Sequence, residues 1–113
     1  MAREDTKAVR ALIKALNDEN RRTRSEATKA LSQMGEPAIF ALIKALSSES
    51  HWVRSGAVGA LGEIGELAVS KLIEALGDKS HNVRAGAVWA LNQIATPEAL
   101  KAVAAYQSIE GAD

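Results

Sequence analysis

The chain has 113 residues, room for one domain, with 47% hydrophobic residues and 14 basic side chains against 14 acidic ones. A formal charge of zero makes no global electrostatic case for nucleic acid or an acidic membrane, and the lack of cysteine excludes disulfides, thiolate catalysis and cysteine-based metal sites. Most of the apolar material is Ala, Leu, Ile and Val, with only four aromatic residues, Phe40, Trp52, Trp89 and Tyr106, so the composition favours closely packed helices over a sheet.

Residues 1–3 are expected to fray. Asp5 or Thr6 then offers an N-cap oxygen, and Val9, Leu12, Ile13 and Leu16 follow at i, i+3, i+4 and i+7, which predicts a helix over about 6–16. The polar stretch Asn17–Asn20 turns the chain, and Asn20 caps a second helix over about 21–34. Its buried stripe is Thr23, Ala27, Ala30, Leu31 and Met34, and Gly35 supplies the terminating residue of positive φ.

The next unit has the same punctuation. Pro37 fits the first turn of a helix, Ile39, Leu42, Ile43 and Leu46 form its apolar face, and Ser50 caps a partner helix that buries Val53, Ala57, Ala60, Leu61 and Ile64 before Gly65. The third unit buries Val69, Leu72, Ile73 and Leu76, turns with Ser80 as cap, and buries Val83, Ala87, Ala90, Leu91 and Ile94. Thr96 and Pro97 then start a seventh helix over about 97–109 with Ala99, Ala102, Val103 and Tyr106 inward, a more polar lid on the last hairpin. The terminal SIEGAD is expected to be loose.

These units superimpose without a gap at a period of 30 residues: ALIKAL, ALIKAL, KLIEAL, then RTRSEATKAL, WVRSGAVGAL, NVRAGAVWAL. A fixed period of that size is the signature of a repeat architecture. The expectation is an all-α, α-α superhelix formed by a single domain, 1–113, with repeats at about 6–35, 36–65 and 66–95 and a capping helix over 97–109. Gly56 and Gly86 interrupt helices where the first unit has Glu26; each is either a site of close backbone approach or part of an open surface.

The pattern D-x-x-x-x-x-R followed by A-x-x-A-L-x-x-I-G resembles the short HEAT-like repeats associated with phycobilisome lyases, over almost the whole chain. In such repeats a turn aspartate and a second-helix arginine form a hydrogen-bond ladder between neighbouring units. The resemblance therefore implies a structural role for Asp18 with Arg24 and Asp78 with Arg84. In the middle unit Ser48 stands opposite Arg54, with Glu49 as a possible substitute. Repeats of this kind serve as scaffolds, as adaptors, and as lyase or chaperone subunits for bilin pigments.

The resemblance also implies that the second helix of each hairpin lines the concave side. Positions there that avoid the apolar stripe are Arg22, Ser25, Lys29 and Gln33; Trp52, Ser55, Gly59 and Glu63; and Asn82, Ala85, Trp89 and Gln93. Both tryptophans fall on this face, and the row Lys29, Gly59, Trp89 predicts a shallow hollow beside an aromatic wall. Exposed Trp is a typical binding anchor. The expected binding set is Trp52, Trp89, Lys29, Arg22, Ser55, Gly59, Glu63 and Gln93.

Enzyme chemistry has little support. No nucleophile elbow, phosphate loop or carboxylate pair stands out, and Glu63 and Glu66 straddle a helix end. His51 and His81 are repeat equivalents with no third ligand beside them, and neither starts the His-Glu pair of the HEAT-like hydroxylases. The expectations are no enzyme, no cofactor and no metal, in a cytoplasmic chain with no apolar leader or membrane span. The expected function is a scaffold for a protein or peptide. A chaperone for bilin or another planar ligand is the alternative, and self-association through the solenoid ends, using Phe40, Leu100 and Tyr106, is a further option. No nucleic acid and no membrane partner are expected.

Overall fold

The computed structural model describes the backbone of residues 3–111 and the side chains of residues 5–109. Seven α-helices follow in order: α1 Arg3–Ala15, α2 Arg21–Met34, α3 Glu36–Ala45, α4 His51–Ile64, α5 Val69–Ala75, α6 His81–Ile94 and α7 Pro97–Gly111. A 3-10 turn, Gly65–Ala68, precedes α5. Each hairpin packs on the next, with α2, α4 and α6 forming one layer and α1, α3, α5 and α7 the other. The stack measures 42 × 25 × 22 Å, and contacts are closer within the α2–α4–α6 layer.

The caps work as their side chains require. Asn20 accepts hydrogen bonds from the Arg22 and Thr23 amides, and Ser50 and Ser80 accept from the Val53 and Val83 amides. Gly35 and Gly65 end α2 and α4 at φ 66° and 78°, a backbone region costly for any residue with a Cβ. Ala95 takes that role after α6 at φ 58°, and the Thr96 hydroxyl accepts from the Ala99 amide to start α7. Pro37 fixes φ in the first turn of α3; Leu67 holds its place in the third unit, and there the chain begins as a 3-10 turn.

Two chain ends differ from the expected ones. The first helix already includes Arg3, so Asp5 and Thr6 lie within its opening turns and do not cap it. An acidic residue such as Asp5 is favourable there because it faces the positive end of the helix dipole. At the other end α7 continues through Ile109 to Gly111, since nothing before that glycine breaks a helix. The fraying expected of residues 1 and 2, and of 112 and 113, lies outside the described residues.

The core is a row of buried leucines, Leu16, Leu31, Leu42, Leu46, Leu61, Leu72 and Leu91, interleaved with small residues such as Ala57, Ala60, Ala87 and Ala90. In α2 the expected stripe is only half filled. Ala27 and Leu31 are buried; Met34 is partly exposed, as its equivalents Ile64 and Ile94 are, whereas Thr23 and Ala30 stay partly exposed because, among the described residues, the first hairpin has a neighbour on one side only. Leu12 is partly exposed for the same reason, while its equivalents Leu42 and Leu72 are fully covered.

The glycines inside α4 and α6 have distinct reasons. A Cβ on Gly56 would sit 2.7 Å from a methyl of Leu16, and one on Gly86 would sit 2.7 Å from a methyl of Leu46. The last leucine of each first helix is thus seated on a bare patch of the next hairpin's second helix. Glu26, at the same position in α2, is exposed to solvent. Gly59 is different, since a Cβ there meets only the Thr28 methyl, at 3.6 Å. Gly59→Ala is therefore expected to raise stability by about 0.5–1 kcal/mol in urea unfolding, through helix propensity and a less entropic unfolded chain. A destabilised Gly59→Ala would show that this part of α4 needs its glycine.

Candidate functional site

The arginine ladder is built differently from the expected carboxylate pairing. Arg24 Nη1 donates to the carbonyl oxygens of Asp18, at 2.7 Å, and Glu19, at 3.0 Å. Arg54 Nη1 donates to the Ser48 carbonyl at 2.7 Å, and Arg84 Nη1 to the Asp78 carbonyl at 2.8 Å. Each guanidinium therefore ties the turn of its own hairpin through main-chain carbonyls of that turn. The carboxylates of Asp18 and Asp78 instead accept from the amides of Asn20 and Ser80, both at 2.8 Å, closing Asx turns. Ser48 substitutes without loss: its hydroxyl accepts from the Ser50 amide at 3.1 Å and its carbonyl takes the arginine, so Glu49 has no part in the motif. A side-chain bond that does cross between hairpins runs from the Ser50 hydroxyl to Asn17 Oδ1, at 2.6 Å.

Above these turns, the outward positions of α2, α4 and α6 make a continuous surface. Trp52 is 51% exposed and Trp89 65% exposed, and Arg22, Ser25, Lys29, Gln33, Ser55, Glu63, Asn82, Ala85 and Gln93 are exposed with them. Gly59 is partly covered. Arg22 is engaged by Glu26 one turn further along α2, at 3.4 Å, in a solvated pair that holds it only weakly. The Gln93 side chain lies against Gly62 and so spans α4 and α6 near their C-terminal ends.

The two tryptophans do different things. Trp52 lies across the groove between α2 and α4 with the Arg24 guanidinium carbon 3.7 Å from its ring centre, and His51 meets it edge-on at 5.7 Å between ring centres. A planar cation on an indole face contributes about 0.5–1 kcal/mol at an exposed site. Trp89 stands in the lining of a second cleft that runs over α6, bounded by His51 and Arg54 of α4, by His81, Asn82, Ala85 and Gly86 of α6, and by Tyr106 of α7. This cleft holds about 510 Å³, against about 260 Å³ beside Trp52. Trp52 and Trp89 thus line separate hollows, and the hollow beside Trp89 is walled by Asn82 and Ala85, where the row of Lys29 and Gly59 had been the expected border.

A family model for HEAT repeats matches residues 2–52 and again 39–108. The chain belongs to the HEAT-repeat family. The two matches overlap across α3 and the start of α4, as a model of stacked hairpins must when it slides along a 30-residue period. HEAT repeats form helical scaffolds that commonly mediate protein interactions. The comparison with curated proteins found no match.

Sequence reasoning placed the outward positions on one surface, but it missed Arg24 and Arg54 as parts of that surface. The signal was present in the spacing: Arg24 and Trp52, separated by 28 residues, are the fourth and second residues of adjacent second helices. Among the described residues no helix is long and apolar enough to cross a membrane, and no group of three or more His, Asp or Glu is placed to hold a metal ion.

Proposed function

We propose that this HEAT-repeat chain is a non-catalytic scaffold that holds a protein segment or peptide against the exposed face of α2, α4 and α6. The observation that carries the reading is the exposure of two tryptophans on that face, where a folded monomer gains little from leaving indole in water. Lys29, Ser55, Glu63 and Gln93 supply polar groups around them, with Arg22 toward one edge and Gly59 in the middle helix.

The test is selection from a displayed library of random linear peptides, followed by affinity measurement on the wild type, Trp52→Ala, Trp89→Ala and the double variant. Both tryptophans are exposed, so the variants should keep the helical circular dichroism and cooperative melt of the parent. Selected peptides should bind the double variant at least tenfold more weakly, as the loss of an anchor of about 1.4 kcal/mol or more requires. Peptides that bind all four proteins equally would remove this face from the account.

The planar-ligand chaperone draws less support from the geometry, since a conjugated ligand clamped between the tryptophans would need them in one cleft. Self-association draws on the opposite layer. Phe40, 74% exposed, stands over a groove between α1 and α3 that is lined with Val9, Ile13, Pro37 and Ala41.

A further inference from the structure

The repeat symmetry makes one groove of this chain a record of what the other accepts. Between α2 and α4 the chain covers its own arginine, with Trp52 laid on the Arg24 guanidinium. Thirty residues later the same positions recur between α4 and α6: Arg54 for Arg24, Ala85 for Ser55, Gly86 for Gly56. Arg54 is held in the same pose, its Nη1 bonded to the turn carbonyl at 2.7 Å as in Arg24. The largest change is Asn82, which stands where the first groove has Trp52.

The consequence is a cleft about twice as large, beside a partly buried arginine. Among the described residues no aromatic ring lies on Arg54. The cleft lining contains no carboxylate to satisfy its charge; His51 and His81 line it beside Arg54, and Trp89 and Tyr106 add aromatic surface. A guanidinium face is complemented by the electron-rich face of an indole, and the small side chains of Ala85 and Gly86 leave a flat ring room to approach.

We propose that this cleft is a subsite for an aromatic side chain, an indole above all, presented by a protein segment and stacked on Arg54 as Trp52 is stacked on Arg24. The proposal rests on the second-helix face being the binding surface and adds the chemistry of the occupant.

The experiment is a titration of the isotope-labelled protein with N-acetyl-L-tryptophanamide, followed by amide and guanidinium Nε–H resonances, with the leucine analogue and acetate as controls. Saturable shifts should centre on Arg54, Asn82, Ala85 and Gly86, and both controls should move them less than a third as far. Asn82→Trp should close the cleft from within, weakening the probe at least tenfold and raising the unfolding midpoint by about 3 °C. Ala85→Leu, at an exposed helical position, should block the probe by filling the cleft floor, and it keeps the test intact if Asn82→Trp folds poorly.

No localised shift, equal shifts with leucine or acetate, or full binding by both variants would overturn the proposal. Shifts at these amides that grow with protein concentration alone would assign the cleft to a second copy, which overturns it too. If library peptides still depend on Trp52 and Trp89 while the indole probe fails, the scaffold stands and only the subsite falls. An indole bound at Arg54 without any such peptide would leave the reverse.

Discussion

Leu46→Ala is expected to cost about 3 kcal/mol of stability, and Gly86→Ala in the same chain to return a good part of it. Leu46 is fully buried at the end of α3 and rests on Gly86 of α6. Removing its branched end forfeits the transfer energy and leaves a cavity, the usual source of losses of 2–5 kcal/mol for buried leucine. In the parent, a methyl on Gly86 would have to push Leu46 aside, since the two carbons would be 2.7 Å apart. That displacement opposes the gain of about 1 kcal/mol that alanine brings to a helix interior. In the Leu46→Ala background the obstacle is gone, so Gly86→Ala should stabilise outright. A double-mutant cycle in urea measures the coupling, and an interaction energy under about 0.3 kcal/mol would mean that the leucine and the glycine are not seated on one another.

The second large effect is at the C-terminal lid. Val103 is 4% exposed and packs α7 against the last hairpin. Val103→Asp puts a carboxyl group where there is no partner for it, and a loss of roughly 2–4 kcal/mol is expected from desolvation together with the lost packing. Each hairpin touches only its neighbours, so the damage should be greatest in α5 and α6 and weakest in α1 and α2. Amide exchange resolved along the chain checks both parts. Uniform loss of protection would show that the stack unfolds as one unit, and a loss below 1 kcal/mol would show that α7 is not a lid.

Much of this was legible without coordinates. The caps Asn20, Ser50, Ser80 and Thr96 and the stops Gly35 and Gly65 are local signals, each read from residues within one turn of the feature they produce, and the 30-residue period is read by aligning the chain on itself. The all-helical repeat architecture follows from them because amphipathic hairpins of this length must stack to cover their apolar faces. Tryptophans 52 and 89 could be assigned to the outward face by helical periodicity alone.

The rest depended on what lies across an interface, where spacing in the chain is no guide. Glycine at 56 and 86 was ambiguous until Leu16 and Leu46 were found against those two positions. Asp18 and Arg24 have the spacing of an ion pair, yet the closer acceptors for the guanidinium are the carbonyls of the turn, and the carboxylate is taken by an amide two residues away. The difference between the two grooves is likewise tertiary. Trp52 and Asn82 sit at equivalent places in their own helices, and only the arginine of the preceding hairpin shows that one guanidinium is covered by an indole. Sequence by itself determined the helices and the face each one turns inward, because those are set by bonds and contacts a few residues long. Tertiary structure alone decided which side chains meet between hairpins, because a stack brings together residues about 30 apart, at distances that periodicity does not encode.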